Sequence, residues 1–136
     1  MEKIKEFISH CKDFAIATVD NHNHPRVRMF HLMKYDNQTM YFATARNKEV
    51  FGQLQNNPFI ELVGWSQGIM FRTGGAVSFD VEGSLCREIY NSNTILSKIY
   101  GSFENPELVY FKLSLRNAEL FNLTSLPPTR EFIEMQ

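Results

Sequence analysis

The sequence predicts a mainly β fold with flanking helices, built around an antiparallel barrel of at least six short strands. Three observations carry that prediction. Runs of β-branched and aromatic residues recur along the 136-residue chain, each closed by an Asn, Asp, Gly or Pro turn signal. Helical spacing of apolar residues is confined to three stretches. Aromatic residues make up 13% of the chain, with 12 Phe, which suits a β-rich core or an aromatic-lined pocket.

The elements follow in order. Ile4, Phe7, Ile8 and Cys11 recur at spacings of three and four, so residues 2–12 form a helix. Residues 14–19 form a strand, and Asp20-Asn21-His22-Asn23-His24-Pro25 is a turn by composition. A second strand runs over 26–33, Asp36-Asn37-Gln38 turns the chain, and 39–44 returns as a third. Asn47 is the expected cap of a helix that carries Glu49 in its first turn and buries Val50, Phe51 and Leu54 before Pro58 stops it. A strand follows over 59–65, then a turn at Gln67-Gly68, then a long strand over 69–81 bent at Gly74-Gly75. Residues 84–100 are helical, with Leu85, Ile89, Leu96 and Ile99 expected inside and a break at Ser92-Asn93. Residues 108–115 and 118–123 make a last hairpin, and the tail from Ser125 is extended. No repeat or linker interrupts this order, so residues 1–136 form a single domain.

Composition narrows the function. A net charge of −1 argues against general nucleic-acid binding, which shows a basic surplus. No apolar run is long enough to span a membrane. Cys11 and Cys86 stand apart with no CxxC spacing, and MEKIKEF is charged and amphipathic rather than a secretory leader. A cytoplasmic, reduced setting is therefore expected.

The stretch from Pro25 to Pro58 carries the chemistry. Arg26 and Arg28 are two apart, so on a strand they share a face, which Phe30 and Leu32 continue into the core. Thr44 ends the next strand, and Lys48 stands beside Asn47 where free helix N–H groups favour an anion. Together they make a candidate phosphate cradle; the alternative is solvated surface charge beside an N-capped helix. His22 and His24 sit in a turn without partners at metal-ligand spacing. His31 shares a face with Val27, Met29 and Met33 and is either a partly buried structural histidine or a contact to a cofactor ring. Trp65, Ile69, Met70 and Phe71 cluster around a turn as core, as a dimer face or as walls for a flat ring.

With those residues in place, the run FAIATVDNHNHPRVRMFHLMKYDNQTMYFATARNKEVFGQLQNNPFIELVGW resembles the pyridoxamine 5′-phosphate oxidase-like, FMN-binding split β-barrels. IMFRTGGAVSFD and IYGSFENPELVYFKL are similar to the small NimC/NimA-type members. The resemblance implies a six-stranded split barrel and a homodimer with FMN in two equivalent clefts between subunits. It implies that Arg28, with Arg26 beside it, and Lys48 hold the phosphate, with Thr44 as the hydroxyl. Met29, Phe30 and His31 would lie along the flavin, while Trp65, Ile69 and Met70 approach from the partner. Some relatives use a deazaflavin or haem instead. An oxidoreductase acting on a small molecule, with NAD(P)H as a possible donor, is the implied activity. The tail SLPPTREFIEMQ lacks the Trp of the C-terminal substrate motif found in true pyridoxamine phosphate oxidases. A non-catalytic flavin- or haem-binding module of the same fold is the alternative.

Overall fold

The computed structural model describes residues 2–135. Helix α1 (Glu2–His10) leads into β1 (Asp13–Val19) and β2 (Pro25–His31). Strands β3 (Lys34–Asp36) and β4 (Thr39–Ala45) precede helix α2 (Glu49–Asn56), then β5 (Phe59–Ser66) and β6 (Ile69–Ala76). Helices α3 (Gly83–Ser92) and α4 (Thr94–Tyr100) follow, then β7 (Leu108–Ser114), β8 (Asn117–Asn122) and β9 (Thr129–Glu134). The protein is thus mainly β and antiparallel, as its patterning predicts.

Hydrogen bonding defines two sheets rather than one closed barrel of six strands. Six strands pair in the order β2-β1-β5-β6-β8-β9, and three in the order β3-β4-β7. The sheets meet at two corners. At the first, the single strand expected over 26–33 changes partner. Its first part pairs with β1, Leu32 N–H donates to the Lys12 carbonyl, and Met33 N–H donates to the Tyr41 carbonyl of the other sheet. At the second, the long strand expected over 69–81 ends at Ala76, and Ser78 forms an isolated bridge to Lys112 of β7. The glycines mark that bend. A Cβ on Gly74 would stand 2.8 Å from the Ile60 carbonyl, and Gly75 takes a φ of 152°.

The core lies between the sheets. Phe14, Ile16, Phe42, Phe71 and Phe111 are fully buried there, and Phe42 stacks on Phe111 at 5.4 Å between ring centroids. Helix α1 buries Ile4, Phe7 and Ile8 against the same core, with Phe7 stacked on Phe71. A second cluster of Ile89, Leu96, Leu108 and Tyr110 attaches α3 and α4 to the outside of the small sheet. The break between these helices falls where the sequence suggests. Asn93 Nδ2 donates to the carbonyls of Met33 and Ile89, a local alternative to continuing the helix. Ile99, expected inside, is exposed at 64% because α4 presents that flank to solvent. The tail is more ordered than an extended segment: β9 pairs with β8 along its whole length.

Candidate functional site

The site is built on β2, an edge strand. It pairs with β1 alone, so backbone groups along its other side face outward. The period of two then sorts its side chains. Arg26, Arg28 and Phe30 point to the inner face, and Val27, Met29 and His31 to the outer one.

Arg28 is half-buried and has only neutral partners among the described residues. One guanidinium nitrogen donates to Thr18 Oγ1 at 2.6 Å, and another to Gln53 Oε1 at 2.9 Å. The Thr18 hydroxyl itself donates to Gln53 Oε1 at 2.6 Å, so the bracket is held from both sides. Burial, and then the charge of Arg26, pull the Arg28 pKa below its ordinary value, while Glu49 works in the opposite direction. A half-desolvated cation with no carboxylate against it is a place where an anion gains Coulomb energy. Thr18 and Gln53 were not anticipated. A buried Thr18 on the face of Phe14 and Ile16 is the one sequence signal that marks it, and nothing local links Gln53 to Arg28.

Arg26 is engaged elsewhere. Its Nε lies 3.1 Å from Asp20 Oδ2, in the turn between β1 and β2. The Asp20 carboxyl is held down at about 2, first by the His24 backbone N–H, then by the His22 N–H and by Arg26. Asp20, Arg26, Glu49 and Gln53 line one shallow depression beside α2. Two carboxylates therefore border the cation site on this flank, and an anion at Arg28 gains most on the side away from them.

Lys48, not Asn47, occupies the N-cap position of α2, and no side chain caps it. Asn47 stands one residue earlier in a turn. Lys48 is exposed and forms no ion pair among the described residues. Thr44 does not stand at an open strand end. It is 2% exposed, faces the core, and its hydroxyl has no partner among the described residues.

The aromatic cluster divides between two faces. Trp65 is 58% exposed on the outer face, opposite Met70, which is opposite Phe121. Ile69 and Phe71 turn to the other side of β6, toward the core. His31 is exposed rather than partly buried, with Nδ1 2.9 Å from Asp13 Oδ1. Val27, Met29, Phe59, Trp65 and Phe132 make the outer sheet face apolar, and each is more than half exposed. A charged ladder crosses the same face. Arg72 contacts Glu61 and donates to buried Glu119, which Arg130 also binds. His22 and His24 lie in the first turn, and no group of metal-ligating residues forms among the described residues. No described helix is long and apolar enough to cross a membrane.

The described residues form an antiparallel two-sheet β fold whose edge strand carries an arginine with no carboxylate partner among them. The chain belongs to the pyridoxamine 5′-phosphate oxidase family, whose model matches residues 1–119. Its fold is shared with a NimC/NimA family protein from Clostridium acetobutylicum, at 21% identity and a TM-score of 0.79, covering 99% of this chain and 92% of that one. It is shared with a pyridoxamine 5′-phosphate oxidase-related, FMN binding protein from Nostoc punctiforme, at 14% identity and a TM-score of 0.68, covering 92% and 81%. A heme binding protein from Mycobacterium smegmatis also matches, at 10% identity and a TM-score of 0.73, covering 93% of this chain and 54% of that one. No curated protein matches by sequence.

Proposed function

We propose that this protein is a homodimeric FMN-binding protein, and a flavin-dependent oxidoreductase acting on a small molecule with NAD(P)H as a donor. The observation that carries the proposal is Arg28: a half-buried guanidinium, oriented by Thr18 and Gln53 and free of any carboxylate partner among the described residues. Family membership and the FMN-binding neighbour support it. The two corners between the sheets support the split-barrel form of the fold.

The residues fit the group. Arg28 and Lys48 supply positive charge for a phosphate, and the unpaired Thr44 hydroxyl is a donor awaiting an acceptor. The outward backbone of β2 at Met29, Phe30 and His31 can meet the polar edge of a ring. Val27 and Met29, on the outer face of the same edge strand, give apolar surface for its body, and the partner subunit's Trp65 and Met70 would close on it. Bound FMN supplies hydride and electron transfer, while the chain contributes binding, orientation and exclusion of water. Among the described residues no paired acid and base stands next to Arg28, so no side chain is assigned a proton-transfer role.

A second function, a non-catalytic carrier or sensor of flavin or haem, is favoured by the haem-binding neighbour. Absorbance separates the two cofactors, since a Soret band marks haem. Turnover with NADH or NADPH separates oxidoreductase from carrier. The decisive titration compares FMN with riboflavin by flavin fluorescence. Charge-assisted hydrogen bonds contribute about 1.5–3 kcal/mol each, so FMN should bind at least about tenfold more tightly. Equal affinities would remove Arg28 as a phosphate site.

A further inference from the structure

The large sheet has two free edges, β2 and β9, and β2 belongs to the site already described. Hydrogen bonding fixes which way the backbone of β9 points. Met135 N–H donates to the Arg116 carbonyl, one step beyond the paired Asn117 and Glu134. Hydrogen-bonded pairs alternate along an antiparallel ladder. Residues 129, 131, 133 and 135 therefore turn their N–H and C=O groups toward β8, and Arg130, Phe132 and Glu134 turn theirs outward. The same parity holds on the far side of β8, where Leu123 N–H donates to the Gly68 carbonyl. Among the described residues no strand pairs with the outward row.

The side chains of those three residues share the outer face of the sheet. Phe132 is 73% exposed. Arg130 binds Glu119 and lies over the Phe121 ring, yet stays half-exposed. Glu134 is exposed and has no ion pair among the described residues. Edge strands are usually blunted by Pro, Lys, a bulge or an inward-pointing charge. Strand β9 contains no Pro, Lys or bulge, and its inward Glu131 is neutralised by Lys3. Its row is self-complementary. Antiparallel pairing with a copy of itself, centred on Phe132, sets Phe132 opposite Phe132 and Arg130 opposite Glu134 at both ends. A slide of two residues sets a charge against the ring, and a slide of four sets like charges face to face. Aromatic and opposite-charge pairs stabilise an antiparallel ladder, and like charges weaken it.

We propose that β9 is the docking edge for a second copy of this chain, joined antiparallel about a two-fold axis at Phe132, so that two large sheets become one continuous sheet. The contact closes on itself, because the axis occupies both β9 edges. The β2 edges, with Arg28, stay at the far ends of the joined sheet. The contact needs no flavin and adds to any pairing of subunits over the outer face. One strand a side is a small interface, so the association is transient and grows with protein concentration.

Sedimentation velocity of the full chain, from micromolar to millimolar protein, should show the dilute species giving way to one of twice its mass. Phe132→Pro tests the backbone. It removes an outward N–H that β8 does not use, so the fold is kept, and the doubling should disappear. Glu134→Lys tests the register, because it sets Lys against Arg130 at both ends and should weaken association about tenfold. Phe132→Cys traps the pair, since residues directly opposite in a hydrogen-bonded pair stand about 5.5 Å apart between Cα atoms, within disulfide range. Under air oxidation it should crosslink in preference to Glu134→Cys, whose two copies lie four residues apart along the ladder. Peptide mapping assigns the bond, because Cys11 and Cys86 are also free. Circular dichroism checks the fold of each variant. A mass unchanged over the whole concentration range would overturn the proposal. So would a doubling that survives both Phe132→Pro and Glu134→Lys, or crosslinking of Glu134→Cys as fast as that of Phe132→Cys. Failure of the protein to bind flavin leaves each of these results intact.

Discussion

At Arg28 the lack of a carboxylate partner among the described residues separates the proposed phosphate site from an ordinary ion pair. Its neighbours Thr18 and Gln53 hold it in place without cancelling its charge. Arg28→Ala should therefore weaken FMN binding by at least about tenfold, read by fluorescence titration, while circular dichroism stays native. Asp20 gives a pH prediction of defined sign. Its folded value is about 2, below the ordinary 3.8, so its contribution to stability is present above pH 3.8 and is lost as pH falls through 2. Asp20→Asn should lower the urea midpoint at pH 7, and the two proteins should converge in strong acid. Facing was legible at this scale, because a period of two placed Arg26, Arg28 and Phe30 together. Partners were not. Gln53 lies 25 positions from Arg28, and neither amide nor hydroxyl leaves a local pattern. The cap moved from Asn47 to Lys48 for a related reason: the turn out of β4 fixes where the helix begins, and no side-chain hydrogen bond anchors the choice.

Among the elements, close approach decides what the sequence can vary. Helix α1 and β1 press against β5 at Gly64, where a Cβ would stand 2.7 Å from the Phe14 ring and 3.0 Å from Cys11 Sγ. Phe14 is fully buried and has nowhere to retreat. Gly64→Ala should cost about 1–3 kcal/mol, as overpacking does, measured by urea unfolding. Asn93 is a second such position, since it gives both amide protons to backbone carbonyls at the joint of α3 and α4. Asn93→Ala should cost about 1 kcal/mol on the usual value of such bonds. The helices, the hairpin turns and the bend at Gly74-Gly75 were all readable, because each has a local chemical cause. The change of partner between β2 and β3 was not. It happens inside a continuous run of strand-forming residues, and only the second sheet, assembled from distant β4 and β7, decides it. Strand β9 escaped notice for the same reason. Its outer edge alternates charge and apolar residues weakly, and pairing with β8 makes it a strand.

For the molecule as a whole, the outer face of the large sheet is the feature that composition foreshadowed. Five large apolar side chains stand there more than half exposed, without a covering helix. Surfaces of this kind mark interfaces, and a two-fold dimer would cover the same face twice. Light scattering should give twice the 15.9 kDa chain mass. Phe59→Glu, at a side chain 65% exposed, should shift the protein toward monomer without unfolding it. A flavin site shared between subunits would lose flavin in the same variant. A monomer of native sequence holding FMN tightly would rule out the shared cleft. The amount of apolar sequence indicated such a face, but its position depended on which strands joined which sheet.

If Arg28 holds an anion as proposed, the bracket around it also makes the fold a reporter of the occupant. An anion that settles on a folded guanidinium, and finds no such partner in the unfolded chain, shifts the equilibrium toward the native state by mass action. At a hundredfold excess over its dissociation constant that shift is about 2.7 kcal/mol. A melting-temperature series across phosphate monoesters, inorganic phosphate and uncharged analogues would therefore rank the occupants of this pocket without knowledge of the reaction. The same series on Arg28→Ala should come out flat.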